Sequence, residues 1–246
     1  MNPAEYERMF RAEEAQWWYV GMRAISRALL EPALRRPRAA GGELAILDAG
    51  CGTGQNLRHL GTLGRAMGID LSADALGFCR ARGVAAAQAS LLALPFPDQS
   101  FDCVTSFDVL YHGWVSDDRA AAREMARVLR RGGLLLVRVP ALKMLWGAHD
   151  GAVHSRHRYT RGELVTLLEA CSLRVERVSY CNSILFPLLL GRRTLDRLLG
   201  REGSDVAFLP PPLEWAFKKA LLAEAALLGR GVSFPIGASL VAVARK

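Results

Sequence analysis

Gly50, Gly52 and Gly54 stand at alternate positions, with Asp48 just ahead of them and Gly68-Ile69-Asp70 a short way on. Residues of these types in this order can hold a nucleoside. The glycines let the backbone turn sharply and approach a ligand with no Cβ in the way. Leu44 to Leu47 leads in as an apolar run suited to a buried parallel strand. Thr53 or Gly54 then opens a helix whose first N–H groups face the same ligand. Asp70 ends a second strand, Ala66 to Asp70, where it can accept two hydrogen bonds from ribose hydroxyls. A pyrophosphate loop carries Gly-x-Gly-x-x-Gly, whereas this one is Gly-x-Gly-x-Gly after a carboxylate, which repels a pyrophosphate and attracts an ammonium group. The pattern favours a ligand joining a nucleoside to an amino acid over a dinucleotide such as NAD.

A second group of reactive side chains follows Pro140: Lys143, Trp146, His149, Asp150, His154, Arg156, His157, Arg158 and Tyr159. His112, His154 and His157 are candidates for removing a proton, with Tyr159 as a hydrogen-bonding partner. The competing role for each histidine is a loop-bracing hydrogen bond. His149, Asp150, His154 and His157 also offer metal-ligand types, but their spacing matches no metal motif and Arg156 and Arg158 would oppose a cation, so no metal is expected. Those arginines suit an anionic acceptor, a carboxylate or phosphate.

These residues need elements to position them. A helical segment runs from about Pro3 to Leu34 and ends in the loop Arg36 to Gly42, a natural boundary. Strand and helix then alternate: strand 44–49, helix 54–63, strand 65–70, helix 72–82, strands 84–88 and 101–107, helix 117–129 and strand 133–139. Such alternation predicts a parallel sheet covered by helices on both faces. Right-handed crossovers put Asp48, Asp70, Ser90 and Phe107 along one edge, where a ligand should lie. A helix at 161–170, a strand at 173–180 and a last strand at 237–245 complete the pattern.

Between the last two strands lies an insertion containing Ile184 to Leu190, Arg192-Arg193, Pro210-Pro211-Pro212 and a helical pattern from Leu213 to Leu228. It either roofs the substrate pocket or meets a membrane surface peripherally; burial of Phe186, Leu189 and Leu209 favours the roof.

Six ordered blocks carry a family resemblance: Asp48 to Gly54, Gly68 to Ser72, Leu94-Pro95-Phe96-Pro97-Asp98, Phe101 to Val104, Asp108 to His112, and Val128 to Gly133. From Leu44 to about Arg138 the chain resembles the class I S-adenosylmethionine-dependent methyltransferases, particularly the bacterial type-11 group. Trp17 to Arg23 and His157-Arg158-Tyr159-Thr160 look like flanking signatures of one subgroup. The resemblance implies a Rossmann-like α/β fold of seven strands, mostly parallel with the last antiparallel beside 173–180. An N-terminal helical lid (1–40) would precede the methyltransferase domain (41–246), with 181–233 as a helical insertion capping the substrate. It implies S-adenosyl-L-methionine as cofactor and S-adenosyl-L-homocysteine as product. The backbone from Gly50 through Cys51, Gly52 and Thr53 to Gly54, with Gln55 next, would meet the methionine part, Asp70 and Leu71 the ribose, Ser90-Leu91 the adenine edge, and Phe107 the sulfonium. Ser90 departs from the family's common aspartate, which makes that contact shorter and uncharged. Trp17, Trp18, Tyr19 and Arg23 would form a lid, Arg23 pairing with the methionine carboxylate. Packing of those aromatics on the core is the alternative.

Composition narrows the partners. With 246 residues and 51% hydrophobic content the chain can bury one α/β core. No run reaches a membrane-spanning length and the start does not read as a signal peptide. The five cysteines form no Cys-x-x-Cys pair, so the expected setting is reducing and cytoplasmic, each cysteine a small hydrophobe with no evident resolving partner. The net charge of +8 is scattered arginine rather than a patch, which speaks against nucleic acid. The expected acceptor is a small or lipid-like molecule, anionic to suit the arginines, methylated on oxygen ahead of nitrogen or carbon, by a monomer or homodimer. An RNA or protein methyltransferase, or a non-catalytic cofactor-binding scaffold subunit, is the alternative.

Overall fold

A computed structural model describes residues 3–34, 42–147, 150–151, 154–198 and 208–246. The alternation read from the sequence is present. Strands β1 (Ala45–Ala49), β2 (Arg65–Asp70), β3 (Ala86–Gln88), β4 (Phe101–Phe107) and β5 (Leu129–Pro140) pair in parallel. Strand β7 (Ser239–Arg245) runs antiparallel to both β5 and β6 (Arg174–Cys181), so the seven strands are ordered β3-β2-β1-β4-β5-β7-β6.

Successive strand residues point to opposite faces, and the cores divide accordingly. Leu47, Val104 and Leu135 join Met125, Leu164 and Leu168 on one face, under α5 (Asp118–Val128) and α6 (Arg161–Glu169). Ile46, Cys103, Leu134 and Leu136 join Met22, Ile25, Leu221 and Leu228 on the other. Helices α3 (Gln55–Leu60) and α4 (Ala73–Ala81) follow β1 and β2.

The expected N-terminal helix is two helices, α1 (Pro3–Ala12) and α2 (Trp17–Leu34). The insertion supplies α7 (Phe186–Leu198) and α8 (Pro211–Gly229), the latter beginning on prolines that need no N–H partner in a first turn. Two features tie lid to insertion. A Cβ on Gly21 would lie 2.3 Å from Leu221, so glycine lets α2 and α8 approach closely. Glu214 accepts the N–H groups of Trp17 and Leu209, each at 2.9 Å, capping α2 from α8. Within the insertion, Glu224, fully buried, accepts from Ser183 at 2.8 Å and Ile184 at 3.1 Å where α7 begins. Residues 35–41, where the lid boundary was expected, and His149 lie outside the described residues.

Candidate active site

The loop after β1 takes the shape its glycines permit. Gly50, Gly52 and Gly54 have φ of +91°, +52° and +85°, the left-handed region that costs other residues strain. A Cβ on Gly50 would also meet Val109 at 2.3 Å. Asp70 pins the loop from the next strand: its Oδ2 accepts from Gly52 N and its Oδ1 from Ser72 N, both at 2.9 Å. Burial raises the Asp70 carboxyl's pKa while these N–H groups lower it.

Beyond the strand ends lies a cavity of about 330 Å³, within the size range of small-ligand sites. One end is bordered by Gly50, Cys51, Gly52, Asp70, Leu71, Ser90 and Leu91 and covered by Tyr6, Met9 and Glu13. The Tyr6 hydroxyl is pushed up to about 12 by burial and the nearby Asp70 charge. Ser90 turns its Oγ toward its own loop, accepting from Leu92 N at 3.2 Å. The other end is bordered by Asp108, Tyr111, His112, Arg138, Asp150, Arg158, Asn182 and Arg193. Phe107 and Tyr19 border the same cavity.

The lid is fastened beside the glycine loop. Arg82, at the end of α4, pairs with Glu13 at 2.6 Å, both side chains being almost fully buried, and donates to Thr53 O at 2.9 Å and Phe10 O at 3.0 Å. Thr53 Oγ1 in turn donates to Glu13. Burial is the largest influence on Glu13 and raises its pKa, against the lowering effects of Thr53 and Arg82. Arg23 borders the cavity, as expected of a lid arginine, and donates to the Glu13 carbonyl.

Three buried arginines build the far end. Arg138 pairs with Asp108 at 2.6 Å, lies over the Phe107 ring at 5.1 Å and over Trp18 at 5.5 Å, so the guanidinium occupies a face of each ring. Arg158 forms a two-point pair with Asp150 at 2.8 and 3.1 Å and donates to Ala141 O. From α7, Arg193 lies where a side chain on Gly147 would be, its Nη1 only 2.1 Å from that Cβ position. Asn182 is buried and its Oδ1 has no hydrogen-bond partner among the described residues.

The residues expected from the sequence separate into two groups. Tyr19, Arg23, Gly50, Cys51, Gly52, Asp70, Leu71, Ser90, Leu91, Phe107 and His112 border the cavity. Asp48, Thr53, Gly54 and Gln55 lie behind the loop: Asp48 is fully buried, accepting from Thr105 Oγ1 at 2.7 Å, and Thr53 belongs to the lid fastening. His154, His157 and Tyr159 are not brought into the cavity. His154 is exposed and stacks on Trp114, His157 approaches Glu163 at 3.5 Å, and buried Tyr159 donates to Asp118 at 2.9 Å. Of the three histidine candidates for proton removal, His112 alone borders the cavity, its ring stacked on Tyr111 at 4.4 Å. Sequence reasoning missed Tyr6, Met9, Asp108, Arg138 and Asn182. Arg138 had a signal: a charge inside the strand Leu134 to Val139 must find a buried partner.

A Rossmann-like sheet with an antiparallel β7, a glycine turn after β1 and a carboxylate ending β2 together define a nucleoside-binding domain of the class I methyltransferase type. Residues 47–137 match the family model described as "Methyltransferase domain". The chain therefore carries a class I S-adenosylmethionine-dependent methyltransferase domain, and S-adenosylmethionine is the cofactor that goes with it. A probable S-adenosylmethionine-dependent methyltransferase of Mycobacterium tuberculosis is 40% identical over 128 residues, 50% of this chain and 46% of that protein. A probable tRNA methyltransferase 9B of Bos taurus is 38% identical over 99 residues, 40% of this chain and 22% of that protein. The chain spans at most about half the length of these curated relatives. A solved S-adenosylmethionine-dependent methyltransferase of Thermotoga maritima, described as a possible histamine N-methyltransferase, has the same fold across 99% of this chain and 95% of its own, with 19% identity and a TM-score of 0.60.

The residues present fit the cofactor. Gly50 and Gly52 border the cavity with bare backbone, Asp70 borders it beside them, and its carboxylate has acceptor capacity beyond the N–H groups it already takes for a ribose hydroxyl.

Proposed function

We propose that the protein transfers the methyl group of S-adenosylmethionine to a small or lipid-like acceptor, at an oxygen atom, with an anionic group on the acceptor held nearby. The observation that carries this reading is the continuity of one cavity, from the glycine turn to a polar end roofed by Leu189 and Arg193 of α7. A roofed space of this size suits a compact acceptor or the end of a chain. The exposed apolar Ile184, Leu188 and Leu195 on and beside α7 fit a lipid-like molecule or peripheral contact with a membrane. Among the described residues no helix is long and apolar enough to cross one. All five cysteines are thiols, which fits a reducing cytoplasmic setting.

The bound cofactor supplies an electrophilic methyl carbon and its own leaving group. The protein's part is alignment, exclusion of water and removal of a proton. Asp70 takes the ribose hydroxyls and the Gly50 to Gly52 backbone admits the methionine part. The lid residues Tyr6, Met9 and Tyr19 close over them. At the far end His112 takes the acceptor's proton, Arg158 and Arg193 hold its anionic group, and the Asn182 amide meets a neutral polar group.

His112→Ala tests this reading. Turnover with a hydroxylated carboxylate or phosphate acceptor should fall about a hundredfold or more, while the Kd for S-adenosylmethionine stays within a factor of about two. Unchanged turnover removes His112 as the base. Methylation of unmodified tRNA, with none of any small acceptor, would replace the acceptor assignment.

A further inference from the structure

The fold brings together two sulfur atoms that the sequence keeps apart. Cys51 and Cys79 are 28 positions apart in the chain, yet their Sγ atoms lie 3.9 Å from each other. Cys51 belongs to the glycine turn and borders the cavity, while Cys79 sits in α4 and donates to Gly52 O at 3.2 Å. Glycines make room for both. A Cβ on Gly68 would lie 2.6 Å from Cys51 Sγ, and one on Gly54 would lie 3.0 Å from Cys79 Sγ. The absence of an evident resolving partner, read from the spacing alone, is thus corrected by the packing.

We infer that Cys51 and Cys79 form a reversible disulfide under a two-electron oxidant such as hydrogen peroxide, and that this bond weakens cofactor binding. In the first step one thiolate attacks a peroxide oxygen, the O–O bond breaks, and a sulfenic acid and water result. In the second the other cysteine's sulfur attacks the sulfenic sulfur, the S–S bond forms and a second water leaves. The two thiol protons end in water, the two sulfurs together lose two electrons, and the peroxide is reduced. Peroxide reaches Cys51 from the cavity, so bound cofactor should protect the pair.

The consequence for binding follows from what the turn holds. A disulfide brings the sulfurs to about 2.05 Å, so the pair must close by almost half its present separation. Cys51 lies between Gly50 and Gly52, and its own N–H and that of Gly50 both donate to Ile69 O at 2.8 Å. Gly52 N is held by Asp70, the ribose-facing carboxylate. Pulling Cys51 toward α4 therefore strains the turn and its link to Asp70 together. This second half rests on the reading of the cavity as the cofactor site, whereas the crosslink does not.

The test uses the purified chain treated with hydrogen peroxide, then mapped by mass spectrometry without reduction. We expect a Cys51–Cys79 crosslinked peptide two hydrogens lighter than the paired thiols. S-adenosylhomocysteine should bind the oxidised protein about tenfold or more weakly, with dithiothreitol restoring affinity. Cys79→Ala should bind normally and ignore peroxide, and saturating S-adenosylhomocysteine should slow crosslinking. Separate alkylation of both thiols after peroxide overturns the disulfide, and unchanged affinity of the crosslinked protein overturns its effect. Failure of the reduced protein to bind S-adenosylhomocysteine would defeat the cofactor reading and the affinity effect, leaving the crosslink decided by mass alone.

Discussion

Asp48 offers a measurable consequence of burying a carboxylate beneath the nucleoside turn. Burial is the largest influence on it and lifts its pKa from 3.8 to about 7, against the lowering effects of the Thr105 hydrogen bond and Arg138. Between those two values the folded chain holds a proton that the unfolded chain has released. The stabilising contribution of that proton is therefore full below pH 3.8 and lost as pH rises to about 7. A displacement of roughly three pH units at about 1.36 kcal/mol each gives a loss of about 4 kcal/mol, a large part of the 5–15 kcal/mol typical of folded domains. Asp48→Asn keeps the shape and an oxygen for Thr105 Oγ1 but has nothing to ionise. Urea unfolding of both proteins at pH 4.5, 6 and 8, with the slope on denaturant checked for equality, measures the difference. Near pH 4.5 the two should agree within about 1 kcal/mol, and by pH 8 the variant should be the more stable by up to about 4 kcal/mol. A difference that does not change with pH, or a less stable variant at pH 8, would refute the argument.

Arg82→Met should leave Glu13 buried without its partner, a loss of about 3–5 kcal/mol for a buried pair. It should appear as proteolytic cutting near residues 12–16 and at least tenfold weaker cofactor binding, whereas unchanged protease resistance would mean that the lid is fastened elsewhere. Gly21→Ala would gain about 1 kcal/mol in a free helix, but the 2.3 Å approach to fully buried Leu221 makes the clash win. Its Tm should fall by several degrees, and a rise would disprove the close packing of α2 on α8.

How far the sequence reached depended on whether the information was local. The turn and its two flanking strands were readable because Gly50 to Gly54 and Asp70 act within one strand-turn-helix-strand unit. Apolar runs such as Leu134 to Val137 and the boundaries set by glycine and proline made the other strands readable too. The acceptor end was not, since Asp108, Arg138, Asn182 and Arg193 come from four separate segments and meet only through tertiary packing. The loop after Pro140 misled in a particular way: its histidines suggested chemistry, yet Arg158 and Tyr159 turn inward while His154 stays at the surface. The break between α1 and α2 was hidden because Glu13 to Gln16 carry no glycine or proline. Tertiary contacts fix it, with Glu13 held by Arg82 and Trp17 N capped by Glu214. Cys51 and Cys79 belonged to the same class of hidden contact.

Every role given to the cavity's residues depends on its being a site for S-adenosylmethionine. Isothermal calorimetry of the purified chain with S-adenosylmethionine, S-adenosylhomocysteine and NAD tests this most directly. One molecule of either sulfur nucleoside should bind per chain, Asp70→Ala should weaken both strongly, and NAD should give no heat. Binding of NAD, or no binding of the sulfur nucleosides, would contradict it.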